Sequence, residues 1–229
     1  VIPQGRIKYI QHLEGGIVEE VLIKEGEKVQ TNQPLVILSK AKASSEYEEI
    51  NTRLKSIELS IMRIKAEKKS LKSIPDEIVG DIFDKELVKF ENEFLVSRRN
   101  NLNSEQKTMK RNIKNLEKRY SLIKEQTLIS EELLLAEATN RFKHLELLRE
   151  LSNIEGQLDE QKNKLETINL NFSEQLNIEF SEFNKEKSEL LKRITKYSDS
   201  LNRTVLKSPV SGVVKLISVN SKGAIIAPG

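Results

Sequence analysis

The hydrophobic pattern divides the chain into short β-type stretches at its two ends and a long helical middle. Residues 6–39 contain RIKYIQ, IVEEVLI and PLVIL, which are rich in Ile and Val and are separated by glycine and proline turns. Ile17, Val21 and Ile23 alternate with polar residues such as Glu19, which predicts that the three share the buried face of a strand. Three short strands are not stable alone, so the rest of the chain must complete this domain.

Between residues 43 and 203 the apolar positions take the heptad spacing of a coiled coil. Steps of four and three residues recur in three series: Ile50, Leu54, Ile57, Ile61, Ile64 and Leu71; Phe83, Leu87, Phe90 and Phe94; Met109, Ile113, Leu116, Tyr120 and Ile123. Farther along, side chains seven residues apart continue the pattern: Leu176, Phe183, Leu190 and Tyr197. The pattern predicts a helical hairpin that ascends through 43–72 and 82–125 and descends through 131–203.

Two interruptions divide these helices. The segment SIPDEIVGD, residues 73–81, contains Pro75 and Gly80 and predicts a break in the ascending arm. The segment QTLISEE predicts the tip at about residues 126–130, because Ser130 followed by two glutamates has the pattern of a helix N-cap. The two arms then have matching lengths, each on the order of 110 Å, which favours a single antiparallel hairpin.

The β-type pattern returns at residues 204–229. There GVVKLISV, residues 212–219, repeats GIVEEVLI, residues 16–23, and each copy then turns and ends near a proline. The predicted fold class is therefore α+β, with a long antiparallel α-helical coiled-coil hairpin inserted between two halves of one β-domain. The halves are residues 1–42 and 204–229.

Composition and charge exclude several classes of function. Charged residues make up 32% of the chain and aromatic residues 5%, which fits long helices better than a thick globular core. The 38 basic and 35 acidic residues are interleaved, so we expect no nucleic-acid partner. The absence of cysteine removes disulfides and thiolate metal sites. No apolar run approaches the roughly 18–20 residues that span a bilayer. Since the chain starts at Val1 without an initiator Met, we expect a fragment of a longer protein.

Two such β halves facing each other form the flattened barrel of a lipoyl or biotinyl carrier domain. Split by a helical hairpin, the arrangement resembles the periplasmic adaptors, or membrane fusion proteins, of tripartite machines in Gram-negative bacteria. The motifs IQHLEGGIVEEVLIKEGEKV and LKSPVSGVVKLISV look most like the HlyD branch, which serves type I protein secretion.

The resemblance implies a non-enzymatic adaptor that links an inner-membrane ABC exporter to a TolC-like outer-membrane duct for a secreted protein cargo. It also implies a homo-oligomer, a hexameric ring in the assembled machine. This region would lie in the periplasm and would be held at the inner membrane by a single-pass segment absent from the chain. An adaptor of a multidrug efflux pump is the close alternative, because it shares both β motifs.

The same resemblance implies a docking site at the hairpin tip. Adaptors of this family carry an arginine, an aliphatic residue four positions later and a serine seven positions after that. In RYSLIKEQTLIS these residues are Arg119, Ile123 and Ser130. The arginine would offer a planar donor fork to the duct, the isoleucine an apolar knob, and the serine a cap for the descending helix. The alternative is a solvated arginine, a seam residue and a simple cap.

Other candidate chemistry is weak. Lys42 lies where a lipoyl domain presents its modified lysine, but the helical region follows at once and the preceding acidic residue is absent. We therefore expect no cofactor, with a lipoyl carrier and a plain coiled-coil scaffold as the alternatives. His12 and His144 are the only histidines and are distant in sequence, so we expect no metal site. Without a phosphate-binding loop or a nucleophile elbow, we expect no catalytic site.

Overall fold

The computed structural model describes residues 7–75, 80, 82–219 and 221–229. The chain forms two compact units: a β unit made of residues 1–56 and 186–229, and a helical unit made of residues 57–185. In chain order the elements are β1 (Gly16–Val21), β2 (Lys28–Val29), β3 (Pro34–Leu38), α1 (Ala41–Lys68), α2 (Lys85–Leu135), α3 (Arg141–Arg203), β4 (Val205–Lys207), β5 (Gly212–Val213) and β6 (Ile225–Ile226). This is the predicted α+β class, with strands at both ends of the sequence and long helices between them.

Both sheets of the β unit combine strands from the two ends of the chain. One sheet has the antiparallel order β4-β3-β1-β6, so its two central strands are N-terminal and its two edge strands are C-terminal. A second sheet pairs β2 with β5. The apolar core is likewise shared, because Val214 and Ile217 pack against a buried cluster of N-terminal residues, namely Ile23, Val29 and Leu35. The prediction that the missing half lies at the far end of the chain is confirmed.

The alternation predicted for β1 is wrong at its start. Val18 is 1% exposed, whereas Ile17, which was expected to face the core, is 54% exposed. The pairing of β1 with β3 shifts register between Val18 and Glu20. Such a bulge moves the side chains that follow it to the other face of the strand. The predicted inward positions therefore hold only after the bulge, where Val21 packs against the core and Ile23 is buried.

His12 and Glu14 join the N-terminal segment to the end of α3. The His12 ring is buried, and its Nδ1 accepts a hydrogen bond from the backbone N–H of Glu14 at 3.3 Å. Nε2 therefore carries the ring hydrogen and donates it to the carbonyl of Arg203 at 3.1 Å. The carboxylate of Glu14 accepts from Ser200 at 2.5 Å and from Arg203 at 2.7 Å, and these two hydrogen bonds lower the pKa of Glu14.

The connection between α1 and α2 is longer than the predicted break, and hydrogen bonds between backbone N–H groups and side chains hold parts of it. α1 ends where Ser70 adopts a φ of +54°, a left-handed conformation that closes a helix. Ile74 is fully buried, and its backbone N–H donates to the side-chain oxygen of Asn92 at 2.8 Å. Asp84 then caps α2 by accepting two backbone N–H bonds from the first turn. Residues 76–79 and 81 of the predicted break lie outside the described residues.

The prediction of a single ascending arm requires α2 to continue the line of α1. Instead, α2 runs beside α1 in the same direction. Ser60 bonds Glu91 at 2.7 Å, and Glu67 pairs with Arg98 at 3.4 Å. Both pairs are offset by 31 residues, and a constant offset means parallel helices. The last part of α1 and the first turns of α2 therefore lie side by side, and α2 then continues beyond the end of α1.

The hairpin itself consists of α2 and α3. Arg98 bonds Glu179 at 2.7 Å and Gln106 bonds Asn169 at 2.6 Å, so the partner number falls on α3 as it rises on α2. The two helices are therefore antiparallel, as predicted. Their lengths do not match as the sequence argument required, since α2 has 51 residues and α3 has 63.

Much of the predicted seam is buried, but not all of it. The predicted seam residues that are buried are Ile50, Leu54, Ile57, Ile61, Ile64, Phe83, Ile113, Leu176 and Leu190. Phe90 and Phe94 are exposed instead, and Leu95 takes the buried position. The reason is that the first turns of α2 pack against α1 as well as α3, which rotates the buried face away from a two-helix seam. Leu71 is exposed because it lies beyond the end of α1.

Candidate docking tip of the helical hairpin

The turn between α2 and α3 comprises residues 136–140. Its second residue, Glu137, has a φ of +57°. The backbone N–H of Ala138 donates to the carbonyl of Leu133 at 2.9 Å, and that of Glu137 donates to the carbonyl of Leu134 at 3.1 Å. These two backbone hydrogen bonds form the Schellman motif that commonly ends a helix. Asn140 then starts α3, because its side-chain oxygen accepts the backbone N–H of Phe142 at 2.6 Å.

The predicted tip at residues 126–130 is wrong, and Ser130 is not a helix cap. Ser130 is buried within α2, which continues to Leu135. Thr127 is also compatible with the helix, since its hydroxyl donates to the carbonyl of Ile123 at 2.8 Å. The real end escaped prediction because its left-handed residue is Glu137, where glycine is usual. The one readable signal was Asn140, a favourable N-cap residue.

The described tip is apolar and open to solvent. Leu135, the last residue of α2, is 84% exposed, and Phe142, in the first turn of α3, is 73% exposed. Three further leucines or isoleucines near the turn are also exposed: Ile129, Leu133 and Leu145. Charged residues of both signs adjoin them, with Glu137 in the turn and Arg141 after it. Exposed large apolar side chains concentrated at one end of a coiled coil are typical of a contact surface.

The other two predicted docking residues lie on α2, below the turn. Arg119 is exposed, and Ile123 is partly buried at the seam. At 1.5 Å per residue, Arg119 precedes the end of the helix by about 24 Å and Ile123 by about 18 Å. The structure thus separates Arg119 and Ile123 from the apex, where they were expected.

A buried ionic cluster in the helical unit was not foreseen from the sequence. Arg63 is 3% exposed; its Nε lies 2.6 Å from Glu91, and it also bonds Glu67. Arg98 lies 2.7 Å from Glu179 and 3.4 Å from Glu67. Burial raises the pKa of Glu67 even though both guanidinium groups act to lower it. The cluster joins all three helices and fixes how they pack.

The described part of the chain shows no alternative chemical centre. Within residues 7–75, 80, 82–219 and 221–229, no group of three His, Asp or Glu side chains is arranged to hold a metal ion. Lys42 lies in the first turn of α1 rather than in a turn between two strands. No helix in the described ranges is both long and apolar enough to cross a bilayer.

The matches of this chain among known proteins include two curated relatives and one solved structure of the same fold. The chain is 25% identical over 264 residues to the type I secretion system membrane fusion protein PrsE of Rhizobium meliloti (strain 1021), covering all of the chain and 60% of PrsE. It is 30% identical over 67 residues to the alkaline protease secretion protein AprE of Pseudomonas aeruginosa, covering 29% of the chain and 16% of AprE. No family model matches it.

The solved structure is the soluble domain of LipC, a membrane fusion protein of a type I secretion system. It superposes with a TM-score of 0.65 at 20% identity and covers 96% of this chain and 95% of LipC. A β-domain split between the chain ends, with a long helical hairpin inserted, is thus also the fold of a membrane fusion protein. Over its whole length the chain is similar to PrsE, a membrane fusion protein, and it shares the fold of the LipC soluble domain. It spans 60% of the length of PrsE and less of AprE.

Proposed function

We propose that the chain is the periplasmic adaptor region of a type I protein secretion system. It would link an ABC exporter in the inner membrane to a TolC-like outer-membrane duct while a protein cargo passes. The observation that carries this proposal is the open apolar apex around Leu135 and Phe142, at the end of a hairpin inserted in a split β-domain. Support comes from the two curated relatives, PrsE and AprE, which are both named for secretion.

The proposed mechanism is physical connection without bond chemistry. Docking would bury Leu135 and Phe142 between duct helices, and each fully buried side chain contributes about 1.5–3 kcal/mol. In a homo-oligomeric ring several apices engage one duct together, so a weak single contact becomes a strong combined one. Arg119 and Ile123 stay in the proposal as a second contact on the flank of α2, reached only if the duct overlaps the hairpin.

The test uses aspartate at the apex of the complete gene product. We expect Leu135→Asp with Phe142→Asp to abolish cargo secretion and crosslinking to the duct, because a buried carboxylate opposes docking. Ile178→Asp with Leu191→Asp is the matched control, since both are exposed apolar residues of α3 far from the turn. Circular dichroism checks that the helices persist in all variants.

A second set of variants separates the two docking zones. Arg119→Ala with Ile123→Ala removes the flank contact and leaves the apex intact. Loss of secretion in this set alone would place docking on the flank of α2. Unchanged secretion and duct crosslinking in both sets would refute docking through the hairpin.

A further inference from the structure

The outer sides of the paired helices, turned away from their seam, carry opposite charges. On α2 four exposed basic residues recur at steps of four, three and four residues, which places them on one face: Lys107, Arg111, Lys114 and Lys118. The other exposed residues between 107 and 118 are Thr108, Lys110, Asn112, Asn115 and Glu117, so a single acid stands among five exposed basic residues. Among the described residues none of the four cations forms an ion pair. We call this surface the basic back.

The outer side of α3 is acidic over the matching length. Asp159, Glu160 and Glu166 are exposed there; the other exposed charged residues between 152 and 170 are Glu155, Lys162 and Lys164, so acids outnumber lysines four to two. Glu160 bonds Lys164 at 2.5 Å, whereas Asp159 and Glu166 have no ion pair with any described residue. We call this surface the acidic back.

The two backs lie at the same height along the hairpin. The pairs Arg98–Glu179 and Gln106–Asn169 show that the residue numbers of facing positions add up to about 276. The stretch 107–118 on α2 is therefore level with about 158–169 on α3. All three acidic residues of the acidic back fall in that interval.

We propose that the basic back of one copy packs against the acidic back of a second copy, an inference that rests on the proposed adaptor function. Head-to-tail contact of two different surfaces closes into a ring, and rotational symmetry about an axis along the hairpins keeps contacting residues at equal height. A two-fold contact between two basic backs would instead oppose like charges. A polyanion such as nucleic acid would neutralise only the basic back, whereas a second copy neutralises both.

Disulfide trapping tests the contact in the complete gene product within its host cells. Asn115→Cys and Asn163→Cys place one thiol on each back at nearly equal height without changing any charge, and the 229 residues contain no cysteine of their own. Within one copy these thiols point to opposite outer sides of two helices, on the order of 20 Å apart, too far for a disulfide. We expect a ladder of disulfide-linked multimers from the double variant and none from either single variant. A single variant can form only a disulfide-linked dimer, and such a dimer in the same yield as the double variant's first crosslinked band would overturn the proposal, because it would join two like backs.

Charge reversal in the double-cysteine background tests the electrostatics. Lys107→Glu with Lys114→Glu, or Asp159→Lys with Glu166→Lys, should each reduce the ladder at least tenfold. Cells that produce both proteins should recover part of it, because the substituted positions of one protein then face substituted positions of opposite charge on the other. Lys192→Glu with Lys196→Glu makes the same charge change at exposed positions elsewhere on α3 and should leave the ladder unchanged.

Secretion measured in the same cells separates this inference from the proposed function. If the double-cysteine protein without charge reversal secretes cargo but forms no ladder, the lateral contact is wrong and the adaptor role is unaffected. If the double-cysteine protein forms a charge-dependent ladder but the unsubstituted protein secretes no cargo, the lateral contact is supported and the proposed function is wrong. If the ladder fails to return when both reversed proteins are present, the pairing of the two backs is wrong.

Discussion

Replacing Arg63 with methionine should destabilise the helical unit more than any surface charge change. The buried cluster holds two cations, Arg63 and Arg98, against three carboxylates, Glu67, Glu91 and Glu179. Its formal charge is thus −1, and Arg63→Met makes it −2. Methionine fills a similar length of apolar space, so the change isolates the loss of charge and hydrogen bonds from the loss of packing.

The magnitude follows from the burial of the carboxylates that stay behind. Removing one partner of a buried ion pair costs about 3–5 kcal/mol, because the remaining charge is desolvated without compensation. That cost corresponds to a decrease of roughly 10²- to 4 × 10³-fold in the folding equilibrium constant. Arg63 also lies 4.7 Å from the centre of the Phe94 ring, and this cation–π contact is lost too.

Urea unfolding gives the free energy, and hydrogen exchange of the amides in residues 57–68 shows whether the loss is in the helical unit. Lys164→Met is the control, because the Lys164–Glu160 pair is exposed and such pairs contribute less than about 1 kcal/mol. Adding Glu67→Gln to Arg63→Met should recover part of the loss by returning the cluster to −1. If Arg63→Met lowers the free energy of unfolding no more than Lys164→Met does, the reasoning is refuted.

Three further predictions concern backbone strain and pH. Gly15→Ala should unfold the β unit at lower urea than Gly26→Ala, since both residues have positive φ but only at Gly15 would the new Cβ lie 2.4 Å from the carbonyl oxygen of Ile226. Burial raises the pKa of Glu67 above its ordinary 4.5, so ionisation costs stability at neutral pH. Wild type should therefore gain stability relative to Glu67→Gln as the pH of urea titrations falls toward 4.5. The Ser200 and Arg203 hydrogen bonds lower the pKa of Glu14, so the stability lost in Glu14→Gln at pH 7 should disappear once the pH falls below the folded-state pKa of Glu14. A pH-independent difference in either comparison would contradict the assignment.

Local patterns in the sequence were sufficient for the split β-domain and for the existence of the helices. The two β halves share a repeated strand motif, and a strand pair cannot be stable without a partner, so each half implied the other. The heptad positions Ile50 to Ile64 predicted a buried seam because a period of 3.5 residues keeps one side of a helix against its neighbour. These features depend on side-chain order within one element, which the sequence states directly.

Only the tertiary structure decided the return of α2 alongside α1, the position of the tip and the buried ionic cluster. A break containing Pro75 and Gly80 is compatible with a kink or with a reversal, and the choice depends on contacts such as Ser60–Glu91 between distant residues. Glu137 ends α2 in a conformation that glycine usually takes, so its residue type gave no warning. The sequence alone predicts a solvated charge at Arg63, because only the packing of a third helix buries it. Sequence patterns describe which face of a helix is apolar, but the number of helices that share that face is a property of the packed fold.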